Sequence, residues 1–464
     1  MTQKDKLNSL RAEMRSEGID LYIIPMRNNF LDNDLNPSER RIKYISNFTG
    51  SAGQILITLF TASIFVDGRY TLQAKQQVDK KVYEINDLGI DSSINWIIKN
   101  LEKHCVVGYD PALFSIAEIK YYEKKLEKSQ VKLKSIPDNL VDKIWAKNSS
   151  QKNIIISDHK TIYAGSTRYE KLNGLRNKFL KNDTEVLFIG DNNFISWLTN
   201  LRAYKRKFTP VIRALCLVTT KCCHLFIDNS QINKKDITKI NDEIEIYDIK
   251  SFSTNIASIL TNKILVKLDE KNTNKLVHEL LMKQNMQIIH QPDITHNKAI
   301  KNTTELTSFS RAHDLDALAV CNFLHWIKNQ NNLHDIDELA VVHYLEVFRG
   351  KQKPNYLGPS FPAIVGFNEN GAIIHYSATK KTNKRISGDG LLLIDSGGQY
   401  KYGTTDVTRT ILIGKATKKM KELYTIVLKA HITLARKSFN KNTTGAELDD
   451  AARGVIKKYG YDYN

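Results

Sequence analysis

The sequence predicts an α/β protein with more than one domain, and three observations support this prediction. Short apolar runs alternate with amphipathic stretches, which is the pattern of strands separated by helices. The chain has 464 residues, 41% of them hydrophobic and 25% charged, which is enough for roughly two to four domains. Apolar strand pairs recur after similar intervals in the first and second parts, which indicates a degenerate internal duplication.

The charge of the chain favours no particular macromolecular partner. The formal net charge is +18, from 68 Lys and Arg against 50 Asp and Glu. A clustered excess of this size would attract nucleic acid or anionic membranes. Because Lys is scattered and is abundant together with Asn and Ile, we expect no nucleic-acid partner. The sequence shows no signal peptide and no run of about 18 apolar residues, so we expect no membrane association and a cytoplasmic location.

The first part, residues 1–145, follows a helix-and-strand pattern. Leu7–Glu17 is predicted as an amphipathic helix, and Ile19–Ile24 as the strand after it. Gln54–Leu59 and Ala62–Val66 are predicted to pair as a hairpin, followed by a helix over TLQAKQQVD. This order indicates a layered α/β domain that ends where polar residues accumulate.

The second part, residues 150–292, repeats this order. Its predicted elements are a strand over Glu185–Ile189, a helix over Asn193–Leu201, a hairpin of Ile212–Val218 with His224–Asp228, and a strand over Lys263–Leu268. Neither part contains a GxGxxG or Walker phosphate-binding motif. Charged segments such as Ile119–Lys134 are predicted to be helices with a solvated face rather than binding sites.

The five cysteines indicate a reducing compartment. They are odd in number and lack a CxxC spacing, so they are interpreted as free or buried thiols: Cys105, Cys216, Cys222, Cys223 and Cys321. The pair Cys222–Cys223 precedes His224, which raises the possibility of a metal site. The run CCHLFID fits a strand better, and we favour that interpretation.

The third part, residues 295–464, is predicted to open with a long helical stretch that includes Asp314–Val320 and Asn322–Ile327. A second helix is predicted over Asp335–Phe348. The segment PSFPAIVGFNENGAIIHYSAT follows, in which His375 comes after the apolar run AII, predicted as a strand. A histidine beside an apolar strand is commonly a core residue, but this one precedes a pair of acidic residues.

That acidic pair lies in Leu391–Leu412, LLLIDSGGQYKYGTTDVTRTIL, which has the pattern of a β-hairpin. If the turn is centred between Tyr400 and Lys401, Asp395 lies directly opposite Asp406. Opposed residues share a face, with Cβ atoms roughly 4.5–5.5 Å apart. Two carboxylates so close repel each other unless they share a proton or a cation, and two divalent metals about 3.5–4 Å apart suit such a pair. The alternative is two acids beside a turn that face water.

Four segments carry a resemblance to a known family: ERRIKYISNFTGSAG, VDGRY, PSFPAIVGFNENGAIIHY and IDSGGQYKYGTTDVTRT. Together they resemble the Xaa-Pro aminopeptidases (aminopeptidase P), metallopeptidases with the pita-bread fold, along nearly the whole chain. The resemblance implies the three-domain cytosolic form. Two creatinase-like domains, residues 1–145 and 150–292, would precede a pita-bread domain at 295–464.

The resemblance implies an enzyme that removes the N-terminal residue preceding proline, so that its substrates are proline-containing peptides. The family site holds two Mn²⁺ ions through two Asp, one His and two Glu. The DSG and TTD motifs match the two Asp ligands to Asp395 and Asp406. The IIHY motif matches a catalytic histidine to His375, which is expected to hydrogen-bond the substrate and the developing oxyanion. By its motif position, Phe361 borders the substrate pocket.

The sequence departs from the family pattern near its end. The YGYDY segment leads, in the family, into the segment bearing the histidine ligand and then to both glutamates, and none of these three is assigned here. Four polar residues lie nearby but fall on helices of the corresponding motif: His431, Glu447, Asp449 and Asp450. We therefore expect a C-terminally truncated domain with an exposed sheet edge and apolar surface, inactive alone. A separate C-terminal fragment is expected to restore activity, and a homodimer is a possible assembly.

Two alternatives remain at the level of sequence. One is a prolidase-like dipeptidase, although the tandem N-terminal domains favour aminopeptidase P. The other is a non-catalytic module that binds peptides or partner proteins on the same fold. A module of that kind has no need of two opposed carboxylates, so Asp395, Asp406 and His375 together favour descent from the metal enzyme.

Overall fold

The computed structural model describes residues 2–89, 91–146, 154–232, 243–330, 333 and 335–463. The chain forms two compact units. Unit 1 comprises Met1–Leu318, Arg349–Phe361 and Gly397–Thr405, and unit 2 comprises Ala319–Phe348, Pro362–Ser396 and Asp406–Asn464. The domain boundaries predicted from the sequence include positions 1, 150 and 464, which lie outside the described residues, and these boundaries stay a prediction.

The first part of unit 1 is a six-stranded sheet with the order β4-β3-β2-β1-β5-β6. Its strands are β1 (Leu21–Pro25), β2 (Gln54–Thr58), β3 (Ala62–Val66), β4 (Glu84–Asp87), β5 (Val106–Tyr109) and β6 (Lys132–Ser135). Its helices are α1 (Gln3–Ser16), α2 (Arg41–Ser46), α3 (Thr71–Gln77), α4 (Ser92–Asn100), α5 (Ile116–Leu126) and α6 (Leu140–Ile144).

Helices cover both faces of this sheet, and this explains the composition of its strands. Every residue of β1, β2 and β3 is buried, so these strands are apolar on both sides rather than alternating. Helix α1 begins with a capping box between Thr2 and Asp5, and it buries Leu7 and Leu10 on one face. The predicted helix, strand and hairpin are therefore confirmed.

The second part of unit 1 is another six-stranded sheet, with the order β12-β11-β10-β8-β13-β14. Its strands are β8 (Glu185–Ile189), β10 (Ala214–Val218), β11 (Cys223–Ile227), β12 (Ile244–Asp248), β13 (Leu265–Leu268) and β14 (Gln287–His290); β7 (Ser157–Asp158) pairs separately with β9 (Leu201–Arg202). The helices are α7 (Thr161–Ala164), α8 (Arg168–Phe179), α9 (Asn192–Thr199), α10 (Phe252–Ile259) and α11 (Lys275–Lys283).

The two sheets share one topology. Taken in chain order, the six strands occupy the same places in both sheets, and the directions of all five pairings agree. In each sheet the first strand runs antiparallel to the second and parallel to the fifth. The internal duplication expected from the sequence is thus present in the fold.

The two sheets are joined at equivalent positions. Ser115 is the N-cap of α5 and Asn274 is the N-cap of α11, and these two residues form an antiparallel bridge. The Ile116 amide donates to the Thr273 carbonyl at 2.9 Å, and the Lys275 amide donates to the Phe114 carbonyl at 2.8 Å. A largely buried Arg213–Glu39 ion pair, at 2.8 Å, connects the two parts elsewhere.

The rest of unit 1 surrounds a buried ion pair. It contains the first part of α12 (Thr303–Lys328) and the antiparallel strands β15 (Tyr356–Pro359) and β18 (Gly398–Tyr400). Arg349 Nε donates to Asp316 Oδ1 at 2.7 Å, and the Tyr400 hydroxyl donates to the same oxygen at 2.9 Å. Arg349 is 1% exposed and Asp316 is 3% exposed, so each charge depends on the other for compensation.

Unit 2 is built on a three-stranded antiparallel sheet of β16 (Ile364–Phe367), β17 (Gly390–Ser396) and β19 (Val407–Ile413), in that order. Alternate residues of β17 are buried and half-buried, as expected for a strand with one face on the core. The buried face packs on the second part of α12 and on α13 (Glu338–Gly350). Helices α14 (Lys418–Ala435) and α15 (Gly445–Lys458) complete the described part of the unit.

One helix prediction differs from the structure. The segment Ile119–Lys134 is a helix only to Leu126; a short 3₁₀ turn follows, and β6 begins at Lys132. Its many Lys and Glu residues concealed the strand because β6 is an edge strand with no fully buried residue. The long helical stretch predicted to open the third part, with Asp314–Val320 and Asn322–Ile327, is confirmed by helix α12.

Apolar side chains are exposed on α14. They include Leu423, Tyr424, Val427, Leu428 and Ile432, each at least 37% exposed. In the described residues β19 has one strand neighbour, β17. The longest helices that the structure describes are all too polar to cross a membrane.

Candidate metal centre

Asp395 lies near the end of β17, where the register differs from the sequence prediction. Asp395 is paired with Thr408. The prediction that Asp395 lies directly opposite Asp406 is therefore wrong by two residues. The reason is the turn, which is centred between Lys401 and Tyr402 instead of between Tyr400 and Lys401, as the Gln399–Thr404 bridge shows. A shift of two residues preserves the face of the sheet, so Asp406, just before β19, is the diagonal neighbour of Asp395.

The turn needs a glycine where the DSGG motif has one. A Cβ atom on Gly397 would lie 1.9 Å from the Thr405 carbonyl oxygen and 2.3 Å from Ser360 Oγ. Three hydrogen bonds hold the backbone here. Ser360 Oγ donates to the Thr405 carbonyl at 2.8 Å, the Gly398 amide donates to the Thr405 hydroxyl, and the Thr405 amide donates to the Gly398 carbonyl. The close approach explains why Gly follows Ser396 directly after the acidic strand.

Asp395 is an incompletely satisfied carboxylate. Its Oδ1 atom is buried and has no hydrogen-bond partner among the described residues. Burial raises the pKa of Asp395, and the Asp406 carboxylate raises it further; the Thr408 hydroxyl and the His375 imidazole act in the opposite direction. These influences place His375, Asp406 and Thr408 around one carboxylate. The structure thus places Asp395, Asp406 and His375 near one another, as the sequence predicted, although the predicted register was wrong.

His375 lies in a turn and not after a strand. The predicted apolar strand over the run AII is wrong: the 3₁₀ turn Asn368–Ala372 ends there, and Ile374 is 44% exposed. The turn lies against β16 because Gly366 and Gly371 touch; a Cβ on Gly366 would meet the Gly371 nitrogen at 2.6 Å. His375 adopts φ = 58°, a left-handed conformation that few non-glycine residues adopt and that concentrates at functional sites.

A buried carboxylate that the sequence did not reveal fixes this turn. Glu338, the first residue of α13, is 0% exposed and receives four donors. The Phe367 amide donates to Oε1 at 2.8 Å and the Lys384 amide to Oε2 at 3.1 Å. Asn370 Nδ2 lies 3.0 Å from Oε1, and the Tyr376 hydroxyl lies 2.9 Å from Oε2. Because Tyr376 follows His375 directly, Glu338 positions the histidine.

The residues at this site fit a hard divalent cation. Asp395 has an unpaired buried carboxylate oxygen and a raised pKa, and a second carboxylate lies on the same face; a cation between the two groups would relieve both the repulsion and the unpaired oxygen. Oxygen donors suit Mn²⁺ or Mg²⁺ better than softer metals. Asp395 and Asp406 are the residues that would hold it, and His375 would lie beside them.

The remaining residues considered in the sequence analysis are Phe361, which follows β15, and residues of helices α14 and α15. Phe361 is half-buried in the irregular segment after β15, and its pocket role stays a prediction. His431 lies on α14, and Glu447 caps α15 by accepting from the Thr444 hydroxyl at 2.9 Å. Asp449 pairs with Arg453 at 2.6 Å. The expectation that none of these helical residues is a substitute ligand stays a prediction.

Comparison with known families covers almost the whole chain. The sequence profile of the metallopeptidase family M24 matches residues 307–464. Profiles of the creatinase/prolidase N-terminal domain match residues 6–144 and 146–305. The α/β fold class, with two creatinase-like domains ahead of a pita-bread metallopeptidase domain, is confirmed.

Individual relatives agree with this assignment. A probable Xaa-Pro aminopeptidase P of Paracoccidioides brasiliensis is 30% identical over 99% of this chain and 77% of the relative. Xaa-Pro aminopeptidase 2 of Homo sapiens is 30% identical over 98% of this chain and 69% of the relative.

Solved structures agree as well. The X-prolyl aminopeptidase of Caenorhabditis elegans, described as a cytosolic enzyme with a di-nuclear active site, is 26% identical with a TM-score of 0.92, covering 100% of this chain and 78% of its own. A prolidase of Pyrococcus horikoshii, 22% identical with a TM-score of 0.50, covers 63% of this chain and 78% of its own, and shares the fold. The chain therefore belongs to the Xaa-Pro aminopeptidase family within metallopeptidase family M24.

Proposed function

We propose that this chain is a metal-dependent Xaa-Pro aminopeptidase that removes the N-terminal residue preceding proline from peptides. The observation that carries the proposal is the Asp395 Oδ1 atom, buried without a partner beside Asp406 and His375. The names of the relatives supply the substrate class, and the Caenorhabditis elegans enzyme supplies the di-nuclear centre. By the same likeness we propose a cytoplasmic location.

In this proposal Asp395 and Asp406 hold manganese, and their two negative charges no longer oppose each other in the loaded protein. A bound divalent metal polarises a carbonyl oxygen and makes a bound water a stronger nucleophile at neutral pH. His375, fixed by the turn that Glu338 anchors, donates a hydrogen bond to the carbonyl oxygen before proline. This bond strengthens as negative charge develops on that oxygen, so it contributes to the rate and not only to binding.

Proline at the second position explains why a dedicated site is required. The bond to be cleaved has no N–H, because the prolyl nitrogen is part of its ring. A site that recognises the substrate through that N–H would leave its own acceptor unpaired, which costs about 1–3 kcal/mol when the acceptor is buried. The assignment of Phe361 to the pocket is part of this proposal.

The test combines metal analysis with hydrolysis on one sample. The protein is loaded with Mn²⁺, desalted and analysed for bound manganese, and release of the first residue is measured from a Xaa-Pro peptide and from its Xaa-Ala counterpart. We expect bound manganese and selective cleavage of the proline peptide. Asp395→Asn should lose both, whereas His375→Asn should lose hydrolysis and keep the metal.

A matched control removes a carboxylate that has no part in the site. Glu422 is half-exposed on α14 and contacts Lys419, so Glu422→Gln should leave both readouts unchanged. Manganese retention that is equal in Asp395→Asn and in the parent would overturn the ligand assignment. Equal cleavage of both peptides would overturn the substrate class. The inactivity that the sequence predicts for residues 1–464 alone stays a prediction; it would show as neither bound manganese nor turnover, and that result would contradict the activity proposed here.

A further inference from the structure

A second cluster of potential metal ligands lies at one edge of the second sheet, in unit 1. Cys222 immediately precedes β11, and His224 is the second residue of that strand, so their side chains share a face. Strand β12 runs parallel to β11 with His224 paired to Glu245, which places the Glu245 carboxylate beside both. We call these three residues the β11–β12 cluster.

The ligand atoms of the β11–β12 cluster are close enough to share one ion. The thiol sulfur, an imidazole nitrogen and a carboxylate oxygen all lie within 4.8 Å of one another. His224 Nδ1 is 3.2 Å from Glu245 Oε2. Tetrahedral zinc, with bonds of about 2.0–2.3 Å, holds its ligands roughly 3.3–3.8 Å apart. Small side-chain rotations therefore suffice to bring all three onto one ion.

We propose that Cys222, His224 and Glu245 bind a single Zn²⁺-class ion, with water in the fourth position. Sulfur, imidazole and carboxylate together favour a borderline-soft metal over Mn²⁺ or Mg²⁺, which prefer oxygen alone. The cluster thus differs in chemistry from the Asp395–Asp406 pair of unit 2. No role in peptide hydrolysis is required of it.

The surroundings of the β11–β12 cluster support this proposal. The Tyr247 hydroxyl donates to Glu245 Oε2 at 2.6 Å and fixes the carboxylate, as partners of metal ligands commonly do. His224 is largely buried, with a side chain 12% exposed, whereas Glu245 is 56% exposed and leaves a path to solvent. Cys223 belongs to the opposite face, where its sulfur lies 3.3 Å from Cys216 Sγ in the core.

The protonation states are compatible with binding at neutral pH. Burial lowers the pKa of His224; the Glu245 carboxylate opposes this effect and Lys263 adds to it, and the net lowering leaves the imidazole with a lone pair at neutral pH. Burial raises the pKa of the Cys222 thiol to about 11, and the Glu245 charge contributes to the rise. Binding therefore replaces the S–H bond of Cys222 by a metal–sulfur bond and releases that proton to the solvent. Affinity should increase with pH as a result.

The test uses Co²⁺ alone as a spectroscopic substitute for zinc. The full chain carrying Asp395→Asn and Asp406→Asn is titrated with Co²⁺, so that the oxygen site of unit 2 does not compete. We expect one equivalent to give a thiolate-to-cobalt charge-transfer band in the near ultraviolet. Cys222→Ser should abolish the band, and Cys105→Ser, which removes another half-buried thiol, should keep it.

Further variants separate a metal site from a hydrogen-bonded cluster. Glu245→Gln preserves shape and should weaken Co²⁺ binding more than Tyr247→Phe, for which about a tenfold loss is expected. Circular dichroism of every variant checks that the fold is intact. Absence of the band, or its persistence in Cys222→Ser, would overturn the proposal and leave three residues that only hydrogen-bond one another.

Discussion

Replacing Glu338 by Gln should loosen the turn that carries His375 while leaving the rest of unit 2 folded. In the native protein the Phe367 amide faces one carboxylate oxygen of Glu338, and the Lys384 amide faces the other. A glutamine side chain has the same shape but offers one oxygen and one NH₂ group. Whichever way the amide is turned, one of the two backbone N–H groups then faces another donor.

The size of the effect follows from that mismatch. A buried donor left without a partner costs about 1–3 kcal/mol, and hydrogen bonds to charged groups contribute at the upper end of the range. Glu338 is 0% exposed, so water does not replace the lost acceptor. We therefore expect about 3 kcal/mol of local destabilisation, which corresponds to roughly a 100-fold change in an opening equilibrium.

Hydrogen exchange measured by mass spectrometry reads this equilibrium locally. Peptides spanning 364–376 and 379–386 should lose roughly 100-fold in protection in Glu338→Gln. The control is Glu369→Gln, which removes a 72%-exposed carboxylate that pairs with Lys384 Nζ nearby. Surface pairs contribute about 0–1 kcal/mol, so this control should change protection by only a few-fold.

Equal exchange in the two variants would refute the reasoning, because burial and not charge alone is what distinguishes Glu338 from Glu369. Loss of protection spread evenly over unit 2 would also contradict it. That result would make Glu338 a general stabiliser and not the residue that positions the His375 turn.

Three further perturbations test other parts of the structure. Burial raises the pKa of Asp110 to about 6 from 3.8, so its stabilising contribution is full below pH 3.8 and is lost as pH rises through about 6. Over that window the parent should lose about 2–3 kcal/mol of unfolding free energy, measured by urea titration, relative to Asp110→Asn. Asp316→Asn should cost about 3–5 kcal/mol in thermal unfolding because Arg349 keeps a buried charge, and adding Arg349→Met should restore much of the loss. At His375, Asn tolerates φ = 58° and should be neutral for thermal stability, whereas Val should cost roughly 1–2 kcal/mol.

Each of these has a result that contradicts it. Parallel pH profiles for the parent and Asp110→Asn would show that this carboxyl does not titrate in the folded protein between pH 3.8 and 6. Equal stability of Asp316→Asn and the parent would mean that water reaches the Arg349 guanidinium. Equal melting of the His375→Val and His375→Asn proteins would mean that the turn relaxes without strain.

The sequence predicted the strands of unit 1 well because burial there coincides with apolar runs. Every residue of β2 and β3, which lie within the predicted segments Gln54–Leu59 and Ala62–Val66, is buried between two layers of helices. Strand β6 was missed for the opposite reason, since an edge strand with the sequence KLKS carries no burial pattern. Hydrophobic periodicity indicates which face of a strand is buried, so it gives no signal for a strand such as β6 with neither face fully buried.

The candidate site shows a different limit. Asp395 and Asp406 were placed on one face correctly because a register error of two residues leaves side-chain parity unchanged. Glu338 was not foreseen, because an acidic residue at the first position of a helix is ordinary and its burial depends on contacts far along the chain. The left-handed backbone of His375 depends on the same long-range contacts.

The joint between the two sheets of unit 1 has the form of a symmetric dimer contact within one polypeptide. Ser115 and Asn274 occupy equivalent positions in domains of the same topology, and each of the two segments donates two backbone hydrogen bonds to the other. Two copies of a single such domain would meet through the same self-complementary patch, which is the definition of an isologous interface. Fusion of the two copies converts an association that depends on concentration into a permanent one. It also frees each half to diverge, and the β11–β12 cluster is present in the second half alone, since the matching strands β3 and β4 carry neither cysteine nor histidine.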